Sequence, residues 1–308
     1  MAVQDCSSEA EGRLEISPSG LSRNSIVIAA RWLTILLAGA LTALPVRAGA
    51  LDDIRAKGVI TLGYVEGAAP FSSGPASEPQ GYSVDLCREV AKGIGAQLGV
   101  PDLRVEWVQL TLQNRLESVR ARRVDIDCST TTWTLSRQKE VDFSLITFVD
   151  GATVIANHAA DILRFADFKG KRIAVIRGTT TAKVLAQALQ SRQVAADVVP
   201  VGTRAEGLQL LQSGKVDGFA SDRVALIESV VRDGAQSRLR LLDDDFSLEQ
   251  YALALPRGDH DFRLAVNRVI ARLYRTGDIM RIYERWLGTF GRPSTLLYAT
   301  YFLQSLAE

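Results

Sequence analysis

The sequence predicts an α/β protein of two lobes with a cleft between them, and three observations carry that prediction. Short β-rich runs alternate with helical patterns, the order that lays helices on both faces of a small sheet. The alternation occurs twice, in two series separated by extended stretches without helix. A length of 308 residues suits two folded units.

The chain opens on a targeting segment, residues 1–50. Residues 32–44 form an uncharged apolar run of 13, preceded by Arg23 and Arg31 and followed by Ala48-Gly49-Ala50, a small-x-small cleavage pattern. This is the three-part layout of a secretory signal, cut after Ala50 or Ala48. A membrane anchor needs about 20 apolar residues, and lengthening the run back to Ile26 puts Arg31 inside it. No Cys directly follows, so nothing supports a lipid-attached form. Cys6 leaves with the signal. In an oxidising compartment Cys87 and Cys128 are then either a bonded pair or two buried thiols, and the sequence leaves both open.

Residues 60–65, ITLGYV, alternate with period two and read as a strand. A Gly/Pro/Ser loop over 67–81 precedes an i, i+4 apolar stripe of Leu86, Val90, Ile94 and Leu98, so 84–98 is a helix, stopped by Gly99 and Pro101. A strand at 105–110, a helix at 113–122 with Leu116 and Val119 inward, and a short strand at 124–128 complete the first series. The second begins with a strand at 172–177 and a helix carrying Val184, Leu185, Ala188 and Leu189. It continues with a strand at 197–201, a helix with Leu208 and Leu211, a strand at 216–220 and a helix marked by Val224, Ile227 and Val231. The helix-free stretches 151–157 and 249–255 suit a double crossover between lobes. Phe262, Val266, Val269, Ile270 and Leu273, then Ile279, Ile282 and Trp286, give two helices that cover one lobe. The tail after Pro293 is mildly apolar and shows no pattern.

Composition narrows the function. Lys and Arg total 36 against 35 Asp and Glu, 23% of residues are charged and 47% are hydrophobic. That is ordinary globular composition, with no basic face for nucleic acid and no acidic field. Two His and three Cys, none in a C-x-x-C or H-x-x-x-H spacing, leave little material for a metal site, and nothing calls for a cofactor.

Ligands of open α/β sheets sit at the carboxyl ends of strands, and facing strand ends make a cleft. Two polar turns occupy such places. Cys128-Ser-Thr-Thr-Thr-Trp-Thr-Leu-Ser-Arg137 offers hydroxyls and a planar guanidinium, suited to grasping a carboxylate, and equally reads as a Ser/Thr-rich loop with a solvated Arg. Arg177-Gly-Thr-Thr-Thr-Ala exposes helix-start N–H groups that favour an anion, or is plain N-capping by Thr. Asp222, after a strand, suits an ammonium group or a helix cap. His158 and His260 lie in polar contexts, and no Ser-His-Asp or Cys-His arrangement is readable. The carboxylates from Asp142 to Asp150 and those at 243–245 read as solvated faces.

Taken together, Ala69-Pro-Phe71, Gly81-Tyr-Ser-Val-Asp85, Gln113-Asn-Arg115, Val124-Asp-Ile-Asp-Cys-Ser-Thr-Thr-Thr132, Ser136-Arg-Gln-Lys139, Val141-Asp-Phe-Ser144, Gly178-Thr-Thr180 and Ser213-Gly-Lys-Val-Asp217 form one ordered series. It resembles the periplasmic amino-acid-binding proteins of ABC importers (solute-binding protein family 3), nearest the glutamate/aspartate-binding branch, from about residue 51 to 288. The resemblance implies a type II two-lobed fold joined by a two-strand hinge, with lobe 1 at 51–153 and 252–290, lobe 2 at 154–251 and a tail at 291–308. It implies a monomeric periplasmic receptor that closes on one amino acid and docks on a membrane permease, with no catalysis. Arg137 would take the α-carboxylate, with Thr130 and Thr132 beside it and Thr180 from the other lobe, and Asp222 the α-ammonium. Arg115 matches a side-chain arginine of that branch. Val65, Leu112 and Arg204 stand where it carries Arg, Ser and His, so an acidic or amide side chain is the first expectation and the identity of the amino acid stays open. The alternative on the same scaffold is a cyclohexadienyl dehydratase-like enzyme, for which Glu66 is the candidate acid.

Overall fold

The computed structural model describes residues 49–232, 234 and 238–308, so the expected signal and Cys6 lie outside the described residues. Helix α1 (Ala50–Lys57) ends at Gly58 in the left-handed conformation and leads into strand β1 (Val59–Val65). Helix α2 (Tyr82–Leu98) carries the expected stripe and buries Leu86, Val90 and Ile94. Its N-cap is Gly81, with φ of 134° and the carbonyl of Phe71 where a Cβ would stand, so only glycine fits that turn. Strand β2 (Arg104–Leu110), helix α3 (Arg115–Arg120) and strand β3 (Ile126–Asp127) follow.

Strand β4 runs unbroken over Val141–Asn157, a span of about 56 Å at the usual rise per residue. Asp142 and Asp150 therefore both lie in a strand, where Asp142 is half-buried and Asp150, expected on a solvated face, is buried. The second series is strand β5 (Arg172–Ile176), helix α4 (Thr180–Ser191), strand β6 (Asp197–Val201), helix α5 (Arg204–Gln212), strand β7 (Gly218–Asp222) and helix α6 (Arg223–Arg232). Helix α6 turns Ala225, Leu226 and Ser229 inward, while Val224 and Ile227 are half-buried and Val231 is 50% exposed. The β-branched residues marked the helix, but its buried face is carried by their neighbours. Strands β8 (Leu239–Leu241) and β9 (Ser247–Pro256) lead to helices α7 (His260–Thr276) and α8 (Ile279–Leu287).

The sheet order is β2-β1-β3-β9-β4-β7-β5-β6, with β8 on β4. β1 pairs in parallel with β2 and β3, and β5 with β6 and β7. β4 pairs antiparallel with β9, from Val141 opposite Pro256 to Ala152 opposite Ser247, with irregularities near Ile146. These two long strands belong to both halves, so two small mixed sheets share one hydrogen-bonded path.

Each half has its own core. In the first, α2, α7 and α8 pack on β1 and β9 through residues such as Leu62, Val90, Leu253, Val266 and Ile270. Phe71, Tyr82, Phe148 and Tyr251 meet mostly edge to face, with Phe71 and Phe148 centroids 4.9 Å apart. In the second, Phe168, Ile173 and Leu185 fill one side of the sheet and Ile155, Leu211 and Phe219 the other. The tail forms helix α9 (Thr295–Leu303), whose Leu297 and Tyr301 join the first core while Phe302 and Leu303 stay exposed. Among the described residues no helix is long and apolar enough to cross a membrane.

Candidate functional site

A cavity of about 520 Å³ opens between the ends of β1, β2 and β3 on one side and those of β5, β6 and β7 on the other. The backbone explains how the polar turns reach it. After β3, Cys128 is bonded to Cys87 of α2, and Thr131, Thr132 and Trp133 then pair with residues 250–252 of β9. The turn is thus tied to a helix at its start and to a hinge strand along its length. Thr131 is fully buried and donates to Asp127 Oδ2 at 2.6 Å, while Thr130 and Thr132 line the cavity.

Arg115 opens α3 and is 3% exposed, yet its Nε and Nη1 have no hydrogen-bond partner. It lines the cavity, and burial holds its pKa below the usual arginine value, opposed by the charges of Asp127 and Asp222. An unpartnered buried guanidinium costs folding free energy and is compensated when an anion arrives.

On the facing wall, Thr179 caps α4 by accepting from Ala182 N at 3.2 Å. Thr180 is thereby brought within 3.1 Å of Thr132, hydroxyl to hydroxyl. Asp222, at the end of β7, accepts from Thr181 at 3.0 Å and from Tyr251 at 2.6 Å. The N–H of Val224, which a capping Asp222 would have served, is taken by Asp150 at 3.2 Å. Arg204, at the start of α5, reaches across to donate to the carbonyls of Gly67 at 3.1 Å and Ala69 at 3.0 Å. Its Nε is buried without a partner, and desolvation lowers its pKa.

Arg115, Thr130, Thr132, Thr180, Arg204 and Asp222 all line this one cavity, and so do Val65 and Leu112. Arg137 is not among the lining residues. It sits in a short 3-10 turn, donates from Nη1 to the carbonyl of Thr132 at 2.8 Å, and feels Arg115, Glu249, Asp127 and Asp222 electrostatically. Desolvation and the nearby Arg115 lower its pKa to about 10.

Sequence reasoning missed the acids behind the cavity. Asp150, read as solvated, is buried on β4, where desolvation and then the charge of Asp222 push its pKa up to about 8. Glu249 on β9 is 1% exposed and accepts from Thr180 and Ser247. The available signal was position: Asp150 and Glu249 lie at the starts of the two helix-free stretches, opposite each other in the sheet. Glu66 is exposed and accepts from Gln109 at 2.6 Å.

Residues 60–289 match the profile of the bacterial extracellular solute-binding proteins, family 3. The chain is 30% identical over 275 residues to an L-glutamate/L-aspartate-binding protein of Pseudomonas aeruginosa, covering 89% of this chain and 88% of the relative. It is 27% identical over 267 residues to a glutamate/aspartate import solute-binding protein of Escherichia coli, covering 86% and 88%. Among solved structures, a solute receptor for L-cysteine of Neisseria gonorrhoeae superposes with a TM-score of 0.69 at 25% identity, over 80% of this chain and 98% of that one. An ancestral amino acid-binding protein, a precursor of cyclohexadienyl dehydratase, gives 0.65 at 26%, over 77% and 98%.

Proposed function

The chain belongs to the bacterial extracellular solute-binding proteins of family 3, and we propose that it captures one polar L-amino acid, acidic or amide in its side chain, and delivers it to the permease of an ABC importer. One observation carries this reading: a buried arginine with two unpartnered nitrogens and an aspartate from the other wall share one cavity. A zwitterion with a further polar group complements that arrangement of charge. The names of the glutamate/aspartate-binding relatives support the same substrate class.

In this assignment Asp222 takes the α-ammonium, and Thr130, Thr132 and Thr180 take the α-carboxylate, with Arg137 supplying positive potential through the Thr132 peptide. Arg115 faces the side chain over the apolar floor of Val65 and Leu112, while Arg204 bridges to the opposite rim. The lobes are 51–153 with 252–290, and 154–251, in a monomer that turns about β4 and β9. Export to the periplasm with cleavage after Ala48 suits the start of the fold. Ala50 is buried and its N–H donates to Asp259 Oδ2 at 2.7 Å, which leaves Gly49 as the new terminus. N-terminal sequencing of exported protein that returned any residue after Gly49 would contradict this. No chemical step is assigned to Glu66, whose carboxylate is held by Gln109.

The test is a thermal-shift panel of the common amino acids, followed by calorimetry, with prephenate and arogenate included and assayed for turnover. A ligand that binds only the folded state raises the melting temperature. Glutamate, aspartate, glutamine or asparagine is expected to do so, and the two dehydratase substrates to stay unchanged. A panel without any shift, or conversion of prephenate, overturns the reading.

A further inference from the structure

A threonine hydroxyl has a single hydrogen to donate. Thr180 gives its hydrogen to Glu249 Oε2 at 3.1 Å. Thr132 lies 3.1 Å from Thr180 and is itself hydrogen-bonded to Glu249, so its hydrogen goes to one or the other. Both hydrogens are committed inside the protein, and the pair turns only lone pairs to the cavity. Lone pairs suit an ammonium group and repel a carboxylate, so the carboxylate grip assigned to these threonines takes hydrogens away from the buried Glu249 carboxylate unless that group gains a proton of its own.

Glu249 is placed to gain that proton. Its carboxylate lies on a hinge strand, with Asp150 of β4 opposite it in register. Asp222 on β7 and Arg137 beyond Thr132 act on it electrostatically, and it in turn acts on Tyr251. Ser247 donates to its Oε1 at 3.0 Å. Burial, and then the charge of Asp222, raise its pKa; the surrounding hydroxyls act in the opposite direction.

We propose that Glu249 is a proton-linked positioning residue: capture of the amino acid's carboxylate by Thr132 and Thr180 is coupled to uptake of one proton on the Glu249 carboxylate. The proton comes from solvent and forms an O–H bond at Oε2. That O–H donates to the Thr180 oxygen, and the released Thr180 hydrogen turns to a ligand carboxylate oxygen. The Thr132 hydrogen swings likewise to the ligand carboxylate, and no covalent bond changes other than the new O–H on Glu249. The inference rests on the receptor reading and adds its pH dependence.

The experiment is calorimetry of wild type, Glu249→Gln and Glu249→Asp with L-glutamate and L-glutamine, from pH 5.5 to 8.5, in two buffers of different ionisation enthalpy. One linked proton weakens wild-type binding by about tenfold per pH unit at the alkaline end. Relative to Glu249→Gln, the wild type should take up about one more proton. The Gln variant should bind with a flat profile at alkaline pH, and the Asp variant should restore the slope. Because Asp150 faces Glu249 across the strands, the comparison is repeated in an Asp150→Asn background, where the difference between the protein that keeps Glu249 and its Glu249→Gln variant must persist; its disappearance there overturns the assignment to Glu249. The same slope and proton count in Glu249→Gln overturns the inference while leaving the receptor intact. Binding by wild type of neither probe, nor of L-aspartate or L-asparagine in their place, overturns the acidic or amide receptor reading as well. Should Glu249→Gln fail to fold, Thr180→Val must likewise lose the proton uptake, and uptake retained there overturns the proposal.

Discussion

The two walls of the cavity meet charge in opposite ways. On the first, Arg115 is buried with two nitrogens unpartnered, in a wall fastened by the Cys87–Cys128 bond and by backbone pairing of residues 131–133 to β9. On the second, the charged groups are largely partnered: Asp222 holds the hydroxyls of Thr181 and Tyr251, and Arg204 holds two carbonyls of the first wall and leaves only its Nε open. Open polar valence, which a ligand alone can satisfy, is thus concentrated on the better-anchored wall. The second wall carries groups that trade internal bonds for ligand bonds, or that bridge the rims. The difference suggests an order of events in which the ligand loads onto the first wall and the second closes over it.

The largest effect is expected where that contrast is sharpest. Arg115→Met keeps the length of the side chain and removes the charge. Truncating one partner of a buried charge pair typically costs about 2–5 kcal/mol, roughly thirtyfold to several-thousandfold in Kd. Calorimetric affinity within a few-fold of wild type would mean that the unpartnered nitrogens are not where the ligand is held.

A smaller effect tests the hinge acids that join the walls. Asp150 is a carboxyl whose folded pKa, about 8, lies above its unfolded value. The folded state therefore binds more protons than the unfolded state between about pH 4 and pH 8, and stability contributed by the neutral form is lost as pH rises through that window. Asp150→Asn removes this dependence while keeping one acceptor for the N–H groups of Gly151 and Val224. Denaturant unfolding should show the variant gaining on wild type from pH 5 to pH 9 by a few kcal/mol, about 1.4 per pH unit while the wild-type group remains protonated. An unchanged gap would place the charge of Asp150 in contact with water.

Much of this was legible in the residues, and what was not has a common cause. Leu86, Val90 and Ile94 announced α2 because one face of that helix meets the core and the other meets solvent. The two Thr turns were visible because strand ends with hydroxyls are distinctive. Asp150 and Glu249 were not visible: around Glu249 the apolar Leu248 is exposed and the acid buried, the reverse of the usual alternation, and Asp150 lies where β4 becomes buried on both faces. Arg137 shows the reverse limit. Its spacing from Thr132 was readable, but the single bond that turns its guanidinium to the Thr132 carbonyl is a tertiary outcome. For α6, three β-branched residues gave the helix but not its inward face, which is Ala225, Leu226 and Ser229, two of them too small or polar to stand out as core.

The smallest expected effect sharpens the contrast from the other side. Arg204 differs from Arg115 in having somewhere to donate: the carbonyls of Gly67 and Ala69, on the facing rim. Those bonds exist only while the rims are together, so they favour the closed form whether or not a ligand is present. In Arg204→Ala both carbonyls can return to water, and the net loss is about 1 kcal/mol, tenfold or less in Kd. It should fall mainly on the dissociation rate, since closure follows loading. Small-angle scattering of the unliganded variant should show a larger radius of gyration than wild type. A loss of affinity as great as that of Arg115→Met, with no change in the unliganded dimensions, would make Arg204 a direct ligand contact and erase the distinction between the walls.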